Sequence, residues 1–426
     1  MQRRKQWTLS FEPAGLTEIK NKVLEWINNS GTFLYLDSHG YADPYGRYEM
    51  LAACHPIRWL ETPDALRRAG QDDWCFGHLA YDYKNQLFPG LHSRHAGSLG
   101  PFRDMAFFVP ETVCYIARDS GQLVLETYGN AEAIAGQIQS RVVPAPAPLP
   151  VLSFQRRQKE ADYYQAIREV LAHIAAGDCY ELNYCCEALA HAPGLNPLQV
   201  YLALKQKAPM PFSAYYRNGD AWMMGASPER FFCKSNNQLT AQPIKGTAAR
   251  GANKKADEAA ITHLRQSGKE QAENVMIVDL MRNDLARCCQ PGTVRVEELF
   301  GIYTFPTVHQ MISTVSGTLA AGISLADILE RTFPMGSMTG APKKRVLEII
   351  DALEESRRGL YAGTVGYQAP GGAADFNVVI RSLIYDAATG KLSYHTGGAI
   401  THQSTPEQEW AELLLKGRSL EQLFAG

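Results

Sequence analysis

The stretch SAYYRNGDAWMMGASPERFFCKSNNQLTAQPIK, residues 213–245, alternates apolar and polar side chains in short runs that are separated by turn residues. Four of these runs have the length of a strand: Ser213–Arg217, Ala221–Gly225, Arg230–Cys233 and Leu239–Ile244. Alternation with a period of two, broken by Asn, Gly, Asp or Ser, is typical of antiparallel strands joined by tight turns. The stretch therefore predicts a β-meander.

The last hairpin of this meander brings an acid towards an amine. Folded about Asn237, it places Glu229 and Lys245 opposite each other. A two-residue loop at Asn236 and Asn237 instead shifts the pairing by one residue. The two side chains form either a surface ion pair or part of a reactive site, and the hairpin alone leaves both readings open.

A proline-rich segment divides the chain before this stretch. RVVPAPAPLPVL, residues 141–152, has four alternating prolines, a composition that stiffens a connector. We therefore predict an N-terminal α+β region at 1–143, a connector at 144–152 and a catalytic region at 153–426. In the N-terminal region, Leu16–Ile27 has helical spacing of apolar residues.

Helices and strands also alternate after the connector. Helical spacing is found at Ala161–Ala176, Lys254–Arg287 and Glu407–Phe424, and strand patterns at Tyr180–Leu189, Tyr361–Gln368, Phe376–Tyr385 and Leu392–Thr396. The predicted fold class is α+β, with antiparallel sheets packed face to face and helices outside.

Composition narrows the class of partner. The 426 residues carry a net charge of −2 without a long basic run, so neither nucleic acid nor a membrane surface is the expected partner. No stretch approaches the roughly 18 apolar residues of a membrane span, and a cytoplasmic location is expected. The nine cysteines lack metal-site spacing and predict buried, reduced thiols.

Two pairs of glutamates have the same spacing on different predicted helices. Glu270 and Glu273 are three residues apart, as are Glu409 and Glu412, and Lys416 follows one turn later. Carboxylates from two helices that face one cavity suit Mg²⁺, a hard cation that prefers oxygen ligands. Each pair alone is more typical of a solvated helix face, but the apolar residues around the first pair indicate a buried helix.

Other segments offer polar groups for an anionic ligand. The glycine pair Gly397-Gly398 allows close backbone approach, and Arg381 provides a bidentate fork for a carboxylate. Tyr367 adds a hydroxyl. His309 is either a proton-transfer group or a hydrogen-bonded core residue.

Taken together, these segments resemble a known family. PIKGT, ENVMIVDLMRNDLAR, FPTVHQMISTVSG, GSMTGAPKKRVLEIID, IRS and GGAI occur in the order found in the chorismate-utilising enzymes, and most closely resemble the component I subunits of aminodeoxychorismate synthases. The resemblance spans residues 155–424. It implies that the lysine of PIKGT, Lys245, is a nucleophile, whereas the similar anthranilate synthases have alanine there.

The same resemblance implies roles for the other residues. Glu229 is the expected acid/base, and Glu273 and Glu412 are the expected Mg²⁺ ligands, supported by Glu270 and Glu409. The expected contacts to chorismate are Gly246, Thr247, His309, Tyr367, Arg381, Gly397, Gly398 and Lys416. Lys245 is expected to be deprotonated by crowded cationic neighbours before it attacks the ring.

A second expected site lies in the N-terminal region. LDSHGYADPYGRY and PFS resemble segments that form a tryptophan pocket in this family. The residues implied are Ser38, Tyr45, Arg47, Tyr48, Pro211, Phe212 and Ser213. This resemblance also supports an alternative reading, a non-catalytic tryptophan-binding regulatory protein.

Some positions depart from the family pattern. Ala399 replaces the third glycine of the turn expected at Gly397-Gly398, and Glu181 stands where similar isochorismate synthases have a water-activating lysine. A glutamate at that position argues against addition of water. No nucleophilic cysteine in a glycine-rich elbow is found, so the resemblance implies that ammonia comes from a separate glutamine amidotransferase subunit. Anthranilate synthase component I is the nearest enzymatic alternative, and Lys245 argues against it.

Overall fold

A computed structural model describes residues 3–91, 100–143 and 145–426, which form twenty strands and eleven α-helices. The strands are β1 Lys5–Ser10, β2 Thr32–Asp37, β3 Tyr48–Leu60, β4 Cys75–Leu79, β5 Met105–Ala117, β6 Gln122–Thr127, β7 Gln155–Arg156, β8 Glu181–His191, β9 Phe212–Asn218, β10 Ala221–Ser227, β11 Arg230–Ser235, β12 Gln238–Gln242, β13 Ile244–Ala249, β14 Arg295–Thr304, β15 Val308–Thr318, β16 Gly340–Ala341, β17 Thr364–Gln368, β18 Ala374–Asn377, β19 Ser382–Asp386 and β20 Lys391–Ile400. The helices are α1 Leu16–Ile27, α2 Pro63–Ala69, α3 Lys84–Leu87, α4 Ala131–Gln139, α5 Glu160–Ala175, α6 Pro197–Lys207, α7 Lys254–Gln266, α8 Gly268–Ala286, α9 Leu325–Thr332, α10 Lys343–Leu353 and α11 Pro406–Glu421.

The strands form two antiparallel arms that meet at the long strand β5. The first arm runs β5, β3, β2, β9, β10, β19, β20, β8. The second runs β5, β4, β17, β18, β11, β12, β15, and β15 also pairs with β13 and β14. Apolar side chains from both arms pack together in one buried cluster that includes Leu34, Phe76, Met223 and Val365. The predicted α+β fold with face-to-face antiparallel sheets is therefore confirmed.

The opening stretch does not form a continuous meander. β9 pairs with β10, but β10 continues to β19 while β11 pairs with β12 and β18. The chain leaves the first arm after Ser227 and enters the second at Arg230, so Pro228 and Glu229 lie at the crossover. The meander prediction was wrong here because consecutive strands with the same pattern can belong to different sheets.

The hairpin that follows turns at Asn236 and Asn237, as in the shifted alternative. Ser235 pairs with Gln238, and the pairing ends at Gln242, before Pro243. Lys245 lies on the next strand, which pairs with β15 instead, so it is not a ladder partner of Glu229. Both side chains nevertheless reach one cavity, as described below.

Three other element boundaries differ from the sequence predictions. The long helix predicted at Lys254–Arg287 is two helices, because Ser267 ends α7 and caps α8 by accepting a hydrogen bond from the amide of Glu270. The strand predicted at Phe376–Tyr385 is interrupted between β18 and β19. The glycine pair Gly397-Gly398 lies inside β20, not in a turn.

The N-terminal region shares its strands with the rest of the chain. β2 pairs with β9, and β4 pairs with β17, so both arms contain strands from either side of the proline-rich segment. The proposed boundary at 144–152 stays a prediction, and Pro144 and residues 1–2 lie outside the described residues.

The sequence also predicted buried, reduced cysteines and no membrane-spanning segment. All nine cysteines are buried and unpaired. Among the described residues, no helix combines the length and apolar character that a membrane span requires.

Candidate active site

A cavity of about 530 Å³ opens between the ends of the two arms. Strands β13 and β15 line it from the second arm, β20 lines it from the first, and helices α8 and α11 contribute further side chains. Most of the predicted site residues line this cavity: Glu229, Lys245, Gly246, Thr247, Glu270, Glu273, Arg381, Gly397, Gly398, Glu409, Glu412 and Lys416. They come from segments up to 187 residues apart in the sequence, 229 to 416.

Glu229 is held at the crossover between the arms. Its amide donates to Ser227 Oγ at 3.2 Å, and its carbonyl accepts from the amide of Val378 at 3.0 Å. The side chain is buried, and burial raises the pKa of its carboxyl to about 7, although Ser337 and Lys245 oppose this shift. Glu229 can therefore hold a proton near neutral pH, as a general acid requires.

Lys245 forms a buried ion pair with Glu181. Its Nζ lies 2.5 Å from Glu181 Oε1, and the exposed fractions of the two side chains are 11% and 4%. Burial opposes protonation of Lys245, but the charge of Glu181, with smaller contributions from Glu273 and Glu229, outweighs it and raises the pKa of the lysine. The expected cationic surroundings were therefore wrong: the neighbours of Lys245 are carboxylates.

Arg381 lies in the break between β18 and β19. Its φ of 49° is a left-handed conformation that costs a non-glycine residue about 1–3 kcal/mol. Burial lowers the pKa of its guanidinium, and among the described residues no carboxylate forms an ion pair with it. A left-handed backbone that holds an unpaired, half-buried cation at a cavity wall indicates a site for an anionic ligand.

This arrangement predicts opposite effects of Arg381→Met on binding and stability. Loss of a charged hydrogen bond of about 1.5–3 kcal/mol is expected to raise KM for an anionic substrate roughly 10- to 150-fold. Removal of this unpaired charge, which is only partly solvated, is expected to raise the unfolding temperature of the free protein. Steady-state kinetics and thermal melts test both effects, with the exposed Arg282→Met as control. An unchanged KM would contradict this role.

The four glutamates of α8 and α11 line the same cavity. Burial raises the pKa of Glu273 to about 7, and the neighbouring Glu270 and Glu181 add to the shift. On α11, the ammonium of Lys416 lies 2.6 Å from Glu412 Oε1 and lowers the pKa of that carboxyl, although partial desolvation opposes the shift. Within the described part of the chain, no three His, Cys, Asp or Glu side chains come close enough to form a full ligand set on their own.

Two glycines allow the carboxylates to approach the strands. A Cβ on Gly398 would lie 2.9 Å from Glu409 Oε2, and Lys416 Nζ donates to the carbonyl of Gly397 at 2.8 Å. Gly246 has φ +94°, and a Cβ there would lie 3.0 Å from Glu270 Oε2. The glycines thus set the packing of α11 on β20 and of α8 on β13.

His309 and Tyr367 lie outside this cavity. His309 is fully buried and contacts Asp257 Oδ1 at 2.8 Å and Thr304 Oγ1 at 3.0 Å. Its ring lies on the face of β15 opposite to Val308 and Gln310, which do line the cavity, because side chains alternate along a strand. The ring of Tyr367 packs instead against Tyr48, 5.6 Å between centroids.

Several cavity residues were not predicted from the sequence. They are Asn183, Lys269, Gln310, Ser337, Tyr361 and His395. Tyr361 and His395 stack with centroids 5.0 Å apart, and burial lowers the pKa of His395 to about 4, so this imidazole is neutral. The position of His395 two residues before the glycine pair on β20 was an available signal, since residues i and i+2 share a face of a strand.

Comparison with known proteins agrees with this geometry. A family model described as chorismate binding enzyme matches residues 28–422. The chain belongs to this family. The chorismate-binding relatives include the chloroplastic aminodeoxychorismate synthase of Arabidopsis thaliana, 41% identical over 270 residues, which are 63% of this chain and 29% of that protein. The chain thus spans less than a third of that relative.

Two other proteins match over more of their length. Aminodeoxychorismate synthase component 1 of Klebsiella aerogenes is 36% identical over 322 residues, which are 75% of this chain and 71% of that protein. The crystal structure of anthranilate synthase component I from Streptococcus pneumoniae superposes with a TM-score of 0.76 at 24% identity, covering 89% of this chain and 93% of that one. At this level of identity, the structural similarity between the two chains shows that they share a fold.

The segments expected to form a tryptophan pocket surround a second, smaller cavity in this chorismate-binding fold. It has a volume of about 60 Å³, and six of the seven predicted residues line it: Ser38, Arg47, Tyr48, Pro211, Phe212 and Ser213. Tyr45 lies in an adjacent groove. The guanidinium of Arg230 is also in its wall, where it pairs with Asp43 and with Asp375 at 2.8 Å.

This second cavity is expected not to accept tryptophan. A cavity of about 150 Å³ is known to hold benzene, so about 60 Å³ is too small for an indole. The hydroxyls of Ser38 and Ser213 are already engaged by Glu49 and by the carbonyl of Gly225. Tryptophan in large excess is therefore expected to change neither the catalytic rate nor the melting temperature. Inhibition or a clear thermal shift would show that the cavity opens.

Proposed function

We propose that this chain converts chorismate and ammonia into 4-amino-4-deoxychorismate through a covalent adduct with Lys245. The observation that carries the proposal is one cavity that holds Lys245, the proton-bearing Glu229 and the unpaired Arg381. The identity to aminodeoxychorismate synthases supports it further. The proposed place of the reaction is para-aminobenzoate and folate biosynthesis in the cytoplasm.

Glu229 is the proposed general acid. Chorismate carries a hydroxyl at C4 that must leave as water, and a buried carboxylic acid with a pKa of about 7 can donate that proton at neutral pH. Arg381 binds a carboxylate of the substrate and so orients the ring towards Glu229 and Lys245.

Lys245 is the proposed nucleophile, and Glu181 is its proton acceptor. The 2.5 Å contact allows a proton to pass from Nζ to Oε1, which leaves a neutral amine. Nζ then forms a bond to C2 while the C4–O bond breaks, both double bonds of the ring diene shift and Glu229 protonates the departing oxygen. Ammonia forms a bond to C4 as both double bonds move back and the Nζ–C2 bond breaks. The new ammonium returns a proton to Glu229, and Glu181 returns one to Lys245.

The glutamate group fits a divalent cation. Glu273 and Glu412 would hold Mg²⁺, with Glu270 and Glu409 behind them, because carboxylates that line one cavity are stabilised by a cation that prefers oxygen ligands. When bound, Mg²⁺ supplies positive charge that neutralises a substrate carboxylate. Ser404 fixes one of the supporting carboxylates by donating to Glu409 Oε1 at 2.6 Å.

Ammonia is proposed to come from a separate glutamine amidotransferase subunit. The name component 1 of the Klebsiella aerogenes relative supports a partner, since it denotes one part of a larger enzyme. Free ammonium at high concentration is expected to replace that partner in vitro.

Product analysis tests the proposal. Purified protein is incubated with chorismate, Mg²⁺ and ammonium chloride, and the product is identified by mass and by conversion to para-aminobenzoate after a lyase is added. We expect aminodeoxychorismate with the pyruvyl group retained. Fluorescent anthranilate, isochorismate or unchanged chorismate would refute the proposal.

A further inference from the structure

Gln310 has a buried acceptor without a partner in the active-site cavity. Its side chain is 2% exposed and lines the cavity, and Oε1 receives no hydrogen bond from the described residues. Buried polar atoms without a partner are rare, and a missing hydrogen bond to such an atom costs about 1–3 kcal/mol. Among the described residues that line the cavity, Gln310 is the one whose buried side-chain acceptor lacks a donor.

The positions nearest to Gln310 in the β13–β15 ladder are uncharged, and Lys245 lies two residues before Thr247 on β13. Val308 is two residues away on the same face of β15 and also lines the cavity. Thr247 is the register partner of Gln310 on β13, and Ile244 lines the wall two ladder positions further along. The uncharged neighbours and the ammonium of Lys245 on the same strand pair disfavour a cationic ligand and suit a small neutral donor.

We infer that Gln310 Oε1 binds the ammonia that attacks the substrate. This inference rests on the proposed function, which requires ammonia in this cavity. A neutral amide oxygen accepts an N–H of ammonia and leaves its lone pair free to form the bond to C4. A carboxylate would instead favour ammonium, which has no lone pair and cannot attack. Glutamate side chains line other parts of the cavity. The uncharged acceptor of Gln310 therefore provides a place where ammonia can bind without being converted into ammonium.

Gln310→Met tests the inference, because methionine has a similar length and lacks the amide. Ammonium chloride is varied at saturating chorismate, and chorismate is then varied at saturating ammonium, both at fixed pH and Mg²⁺. We expect KM for ammonia to rise about tenfold, the loss of one hydrogen bond, while KM for chorismate stays within about twofold. The exposed Gln122→Met is the matched control and is expected to match the wild type.

Gln310→Glu provides a second variant with a charged acceptor. It is expected to lower kcat with ammonia more than Gln310→Met does, since it stabilises ammonium. In the absence of ammonia, the mass of the Lys245 adduct is measured after mixing with chorismate. Gln310→Met is expected to form this adduct at the wild-type rate and to release it more slowly when ammonium is added.

The outcomes separate the inference from the function on which it rests. If the wild type makes aminodeoxychorismate and Gln310→Met leaves KM for ammonia unchanged, ammonia binding at Gln310 is refuted. A rise in KM for chorismate alone also refutes it and assigns Oε1 to a substrate hydroxyl. If the wild type makes no aminodeoxychorismate, the proposed function itself fails, together with the ammonia site.

Discussion

Lys245→Met is expected to lower aminodeoxychorismate formation by at least about 10³-fold, because the covalent route loses its nucleophile. We expect any remaining turnover to be diverted towards anthranilate, because the resemblance to anthranilate synthases implies that product when this lysine is absent. Rapid mixing with chorismate and Mg²⁺, followed by intact mass measurement, is expected to show the adduct in the wild type and not in the variant. A variant that retains the wild-type rate and product would contradict the covalent role.

The effect of Lys245→Met on the reaction must be distinguished from its effect on the stability of the protein. Removal of Lys245 leaves Glu181 buried without its ion-pair partner, and breaking a buried pair costs about 3–5 kcal/mol. The double variant Glu181→Gln with Lys245→Met removes both charges and is expected to melt closer to the wild type while remaining inactive. Lys255→Ala, an exposed substitution on α7, is the control for a lysine outside the cavity.

Glu229→Gln is expected to lower kcat by about 10²–10⁴-fold, since glutamine keeps the shape of the side chain but cannot donate a proton to the leaving hydroxyl. In the wild type at saturating Mg²⁺, kcat is expected to fall as the pH rises through about 7, where Glu229 loses its proton. This fall is expected to be absent from the residual activity of the variant. A variant with wild-type kcat and the same alkaline fall would assign the acid to another group.

The same carboxyl also makes stability depend on pH. Its pKa is about 4.5 in the unfolded chain and about 7 in the folded one, so the folded state binds the proton more tightly. The corresponding stability is present below about pH 4.5 and is lost as the pH rises through about 7, a difference of about 3 kcal/mol. Glu229→Gln is therefore expected to be more stable than the wild type at pH 8. Chemical denaturation at pH 5 and pH 8 measures this difference.

Patterns that depend on local sequence were predicted well. The helix expected at Leu16–Ile27 has the same bounds in the structure, because its apolar spacing is regular over three turns. The two glutamate pairs were placed on shared helix faces by their spacing alone, and both pairs reach the cavity. The apolar character of α8 was a weaker guide: Ile277 is buried, but Val275 is 49% exposed.

Features that depend on pairing between distant strands could not be predicted. Whether Val308, His309 or Gln310 faces the cavity depends on the register between β15 and β13, which the sequence of β15 does not contain. The histidine was assigned to the site by its chemistry, although it pairs with Asp257 on the other face. Tyr361 and Tyr367 show the same problem: the hydroxyl expected from Tyr367 is at the second cavity, and Tyr361 is in the first.

The negative charge around Lys245 also could not be predicted from the sequence. Glu181 was noted only as a position that differs from related enzymes, and nothing in the segment Tyr180–Leu189 indicates that its carboxylate meets a lysine 64 residues further along. The contact exists because β8 ends the first arm and β13 lies at the end of the second, on either side of the cavity.

Strands from before the proline-rich segment pair with strands from after it, so the two parts of the chain are not expected to fold separately. A fragment cut at that segment would lose β2 from the flank of β9 and β4 from the flank of β17, leaving two rows of unsatisfied amide and carbonyl groups. Such open edges favour self-association over folding. The N-terminal third contributes no side chain to the candidate active-site cavity within the described residues, and its strands β2 and β4 instead cover the edges of β9 and β17.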